Sequence, residues 1–76
     1  MKNVEIYGDI ISLSVKAENF YNKLKERERT AREFARTFDK HSIDSSSYNS
    51  VAEAYSTAAM LFIDTYGKVI KKKRGT

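Results

Sequence analysis

The sequence predicts an all-α protein: an antiparallel helical hairpin, a long helix followed by a shorter one, that pairs into a dimeric four-helix bundle. Three observations predict it. Between Ile10 and Phe38, alternating steps of three and four give Ile10, Leu13, Ala17, Phe20, Leu24, Arg27, Ala31, Phe34 and Phe38, an apolar stripe broken only by Arg27. Tyr48, Val51, Tyr55, Ala58, Phe62, Thr65 and Val69 repeat that spacing. Proline is absent, so long helices can run unbroken.

The first helix is expected over about 9–40. Asp9 is a good N-cap residue. Val4-Glu5-Ile6-Tyr7 suits a short strand or a first helical turn. Because Ile6 stays in phase with Ile10 and Leu13, a helix running on from residue 3 through Gly8 also fits. Residues 41–47, His41-Ser42-Ile43-Asp44-Ser45-Ser46-Ser47, read as a loop, since serine and aspartate compete for backbone hydrogen bonds. The second helix is expected over about 48–72, started by Ser47 or Ser50. Ser50 with Glu53 matches a capping box, and Ile43 is placed to staple the new helix. A basic tail over 71–76 suits the negative end of a helix dipole, and Gly75 is a natural stop.

A loop this short makes the helices antiparallel. Counting outward from it leaves the first helix longer than the second, so its N-terminal residues overhang. The overhang carries Val4, Leu13 and five residues left to seek another surface, Ile6, Tyr7, Ile10, Ile11 and Val15. The run Ala58 to Ile63 adds Met60 and Leu61 off the seam. One facing helix covers one stripe, so these seven residues are the candidate interface, divided between self-association and a larger protein partner. The chain has 76 residues, one domain over 1–76, and a core that small usually needs added support. There is no cysteine, which removes disulfides and cysteine-built zinc sites and fits a reducing, cytoplasmic location. Self-association is therefore favoured over a monomer whose first segment folds back at Gly8.

The charge is +4, a mild preference for acidic partners or nucleic acid. Lys25, Arg29, Arg32 and Arg36 form a basic ridge along one helix face. With Lys71, Lys72, Lys73 and Arg74 they are the candidate nucleic-acid contacts. Glu28 and Glu33 are interleaved with the ridge, which favours a solvated outer face instead. Asp39, His41 and Asp44 lack a fourth metal ligand and read as loop polarity. No nucleophile–base pair or glycine-rich phosphate loop is present, so neither an enzyme nor a cofactor is expected. No apolar run reaches the roughly 20 residues of a membrane span.

The layout of long helix, polar loop and alanine-rich returning helix resembles the hairpin of the secreted WXG family, without a Trp-x-Gly in the loop. Leu24-Lys25-Glu26-Arg27 followed by Phe34-Ala35 is similar to the helices of BAR domains, which are far longer and have three helices. Neither likeness assigns a residue role. The function expected from the residues is a small non-enzymatic adaptor, regulator or stoichiometric inhibitor, with sequence-independent nucleic-acid binding as the alternative.

Overall fold

The ends of the chain form a sheet where the helical reading placed more helix. In a computed structural model describing residues 1–72, the order is β1 (Lys2–Ile6), β2 (Asp9–Leu13), α1 (Val15–Arg36), α2 (Ile43–Tyr66) and β3 (Lys68–Lys71). The helical hairpin is present, but the all-α class is corrected. Val4 and Ile6 alternate on one strand and Ile11 and Leu13 on the next, around Tyr7-Gly8. Both turn residues have positive φ, 52° and 87°, as a two-residue primed hairpin turn requires. A tyrosine at positive φ is unusual. Its ring lies 5.9 Å from the Lys25 ammonium, a cation–π contact that ties the turn to α1.

β2 is the central strand, antiparallel to both neighbours. Val4 faces Ile11 on one side, and Val69 faces Ile11 on the other. Between Ile10 and Ile11 the register shifts, because Lys71 rather than Ile70 faces Ile10. Ile70 is therefore the extra residue of a bulge.

The helix boundaries move accordingly. Ser14 caps α1, its Oγ accepting the Ala17 N–H at 3.1 Å, so the helix starts at Val15 and not at 9 or 3. Asp9 lies in β2 and is not the N-cap of α1. At the other end α1 stops at Arg36, where the Thr37 hydroxyl donates to the Phe34 carbonyl at 2.7 Å. The loop is 37–42 rather than 41–47. Ser42 caps α2 through the Ser45 N–H at 3.1 Å, which puts Ser50 and Glu53 inside the helix and removes the capping box. Ile43 is 85% exposed and staples nothing. α2 ends at Tyr66, short of 72, because Gly67 turns extended after donating its N–H to the Ile63 carbonyl at 2.8 Å. Lys73, Arg74 and the rest of the tail lie outside the described residues.

Phe20 meets Phe62 at 4.9 Å between ring centroids, and Phe38 meets Tyr48 at 5.6 Å, so the two helices run antiparallel. Their seam is built from small residues: Ala31 and Ala35 on α1, and Ser45, Ala52 and Ala59 on α2, all buried. Small seam residues let the helix axes approach closely. The apolar core proper lies away from the loop, where Ile6, Ile11 and Leu13 of the sheet meet Ile63, flanked by Val4, Ala17, Tyr21 and Phe62. Lys2 adds an ion pair from β1 to Glu18 of α1 at 3.2 Å.

Candidate functional site

The hairpin has two broad faces, and only one receives the sheet. At 100° per residue, Tyr21 and Glu28 of α1 and Met60 and Asp64 of α2 lie to one side of the alanine seam. That side meets the sheet. A cavity of about 80 Å³ sits there, bordered by Ile6, Tyr7, Ile11, Tyr21, Met60 and Ile63 among others. The other side carries Phe20, Phe34 and Phe38 from α1, and Tyr48, Val51, Tyr55, Phe62 and Tyr66 from α2. Of these, Phe62 also packs against the sheet core.

On this open face the rings form two groups. Near the loop, Tyr48 stacks on both Phe34 and Phe38, with centroids 5.5 and 5.6 Å apart. Near the sheet end, Phe62 lies between Phe20 and Tyr66, at 4.9 and 5.0 Å. Between the groups runs a groove lined by Lys23, Glu26, Arg27 and Thr30 on α1 and by Val51 and Tyr55 on α2. Ring contacts hold this surface in shape without hiding it: Phe34 is 52% exposed, Phe20 50% and Tyr66 67%. These exposed aromatics are gathered on one side of the hairpin, whereas scattered ones would need no explanation.

The shape of the subunit makes the same point. It measures 42 × 30 × 16 Å, with a radius of gyration of 14.7 Å. A compact chain of this length would have about 11 Å. A body this thin holds one helix layer with the sheet laid on part of it, so a large share of its apolar side chains stays at the surface.

The seven residues singled out in the sequence fall into two sets. Ile6 and Ile11 are buried inside the subunit and offer nothing to a partner, which corrects their assignment as interface. The reason is the β-hairpin: it folds the supposed overhang back onto the helices. Ile10 is half-buried in β2. Tyr7, Val15, Met60 and Leu61 are exposed, Leu61 at 65%. They do not form the aromatic face, because Tyr7 and Met60 belong to the sheet side and Leu61 points away from the seam. The residues that do form it belong to the two apolar stripes of the sequence, Phe20, Phe34 and Phe38 on the first and Tyr48, Val51, Tyr55 and Phe62 on the second.

The basic ridge is interleaved with acid. Glu28 accepts from Lys25 Nζ at 2.7 Å and from Arg32 Nε at 3.2 Å. The hydrogen bond from Lys25, more than that from Arg32, holds the Glu28 carboxyl below its ordinary range. The same bond raises the Lys25 ammonium above its own. Burial raises the Tyr21 phenol, partly offset by Lys25. Arg29 and Arg36 complete the ridge beside Glu26 and Glu33. Lys71 and Lys72 are exposed at the end of β3, while Lys73 and Arg74 fall outside the described residues.

Among the described residues, no group of three histidine, cysteine, aspartate or glutamate side chains converges to hold a metal. The His41 N–H donates to Asp39 Oδ1 at 3.4 Å, a turn contact. Among the described residues, no helix is long and apolar enough to cross a membrane. No protein-family model, curated protein or solved structure matches this chain.

Proposed function

We propose that this chain is a non-enzymatic protein–protein interaction module whose working surface is the aromatic face of the hairpin, with self-association through that face giving a dimeric four-helix bundle. One observation carries the reading: two ordered ring clusters and the groove between them lie uncovered on a body 16 Å thick. A module of this kind acts stoichiometrically, as an adaptor, regulator or inhibitor that lays its face on a larger protein or on its own copy. Leu61, Val15 and Ile70 add smaller apolar points elsewhere.

Sequence-independent nucleic-acid binding has weaker support, because Glu28 already engages two of the four ridge cations. A gel shift that appears at low salt and weakens steeply as salt rises would restore it.

Light scattering tests the main reading. The wild type is expected to be larger than a monomer at about 100 μM. Phe34→Glu and Phe20→Glu, both at half-exposed rings, should each reduce it to a monomer without loss of far-UV helicity. A wild type that stays monomeric at millimolar concentration and shows no change on either substitution would remove the basis of the proposal.

A further inference from the structure

We infer that the occupant of the aromatic face is a second copy of this chain, docked so that α1 of each copy lies on α2 of the other with both loops at the same end. The inference rests on the face being the working surface, and it adds the occupant and the pairing.

Area decides first. Six half-exposed residues, five of them aromatic, offer roughly 500 Å² per copy, taking about 200 Å² for each ring residue. Two copies then remove roughly 1,000 Å² before any rim is counted, the size at which a contact becomes a specific interface. Shape agrees: a second hairpin laid on the first at the usual interaxial distance of about 10 Å turns a thin layer into a four-helix core.

Charge decides the pairing. A two-fold dimer that stacks two hairpins face to face has two arrangements. With loops at opposite ends, α1 lies on α1. Arg27, midway along the face, then meets its own copy in a desolvated layer, where like charges are costly. With loops at the same end, α1 lies on α2. Between Tyr48 and Tyr66 of α2, Glu53 and Asp64 are the charged residues, and at 100° per residue both lie on the sheet side, so the α2 half of the face carries no charge.

Position sharpens the point. Phe20 contacts Phe62, and Phe34 contacts Tyr48, which sets the heights of the two helices. Arg27 is midway between Phe20 and Phe34 in sequence, and Tyr55 is midway between Phe62 and Tyr48. Arg27 is therefore level with Tyr55. Across the same-end interface its guanidinium reaches the Tyr55 ring of the other copy, a cation–π contact between copies. The ring groups near the loop also meet each other, as do those near the sheet. The one charge that interrupts the apolar stripe thus acquires a recognition role.

The absence of cysteine makes crosslinking clean. Two single variants, Lys23→Cys and Ala58→Cys, are prepared separately and oxidised alone or after mixing. The two positions are level across the same-end interface, whereas equal positions on the diagonal helices of a four-helix bundle are about 13 Å apart, beyond disulfide reach. The mixture is expected to crosslink up to about half of its chains, the share that random pairing places in mixed dimers, and neither variant alone should crosslink. A third single variant, Arg27→Cys, sits at the level of the two-fold axis of the opposite-end arrangement, and its crosslinking to itself would overturn the pairing while leaving the aromatic face as the interface. Failure of every combination in a protein that scatters as a dimer would overturn both the pairing and the face. A protein that stays monomeric would overturn the second copy as occupant.

Discussion

Gly67→Ala tests the joint that holds β3 against the helices. Gly67 has φ −87° and ψ 147°, a conformation open to any residue, so backbone freedom is not the reason for glycine here. Close approach is. A Cβ on Gly67 would sit 2.6 Å from Ile11 Cγ2 and 2.8 Å from the Ile63 carbonyl oxygen. Ile11 is buried in the centre of the sheet and has nowhere to swing. The carbonyl is held by the Gly67 N–H itself. Either β3 or the last turn of α2 must shift. Overpacking of this kind costs about 1–3 kcal/mol. In a domain of this size that lowers Tm by roughly 5–20 °C. Far-UV circular dichroism melts at one fixed protein concentration read it, since association makes Tm concentration-dependent. An Ile11→Ala background removes Cγ2 but leaves the carbonyl, so Gly67→Ala should cost less there without becoming neutral. An unchanged melt, or an equal cost in both backgrounds, would refute the packing argument.

Other outcomes follow from the same contacts. Leu13→Ala, at a side chain with no exposed surface, should cost about 2–5 kcal/mol by chemical denaturation. Ser42→Ala removes the cap of α2 and should cost about 1 kcal/mol, while Ser50→Ala, inside the helix, should change stability by only a few tenths. Glu28 has a lowered folded pKa, so its contribution is complete above the ordinary glutamate value of about 4.3 and is lost as pH falls through the lower folded value. Lys25 is raised, so its share is complete below its ordinary value and is lost as pH rises through the folded one. The stability gap between wild type and Glu28→Gln should therefore be a few tenths of a kcal/mol at neutral pH and close in acid, in melts across a pH series. A gap that persists at pH 2 would show that the carboxylate charge is not its source.

The hairpin was legible because three-and-four spacing cannot be produced by a strand, and both helices lie largely where that spacing runs. The sheet was hidden by the same spacing. Ile6, Ile10 and Leu13 fit a helical stripe, yet Val4 with Ile6 and Ile11 with Leu13 also alternate in twos. The deciding signal was Tyr7-Gly8, a two-residue turn between alternating runs, together with Ser14 as a later cap. β3 escaped for a related reason: Val69 and Ile70 continue the second stripe, and Gly67 reads as a weak helical position until Ile11 is known to touch it. The candidate surface was misplaced by a small error of height. A loop at 41–47 sets Phe34 level with Ala52 and Leu24 level with Phe62 when residues are counted outward from it, and the rings then fall in the seam. With the loop at 37–42, alanines fill the seam and the rings turn outward.

β2 connects what the chain keeps farthest apart. Its first neighbour arrives after a two-residue turn, but its second must return from beyond both helices. The first pairing closes on a microsecond scale, whereas the second waits until the helices have brought β3 home. Until then Ile11 and Ile63 are wet on one side, and the free edge of β2 is a template for another chain's strand. Folding at high concentration should thus favour exchange of β3 between copies, so a slow phase that lengthens when Gly67 is substituted would identify the arrival of that last strand as the step that commits the chain to its own sheet rather than a neighbour's.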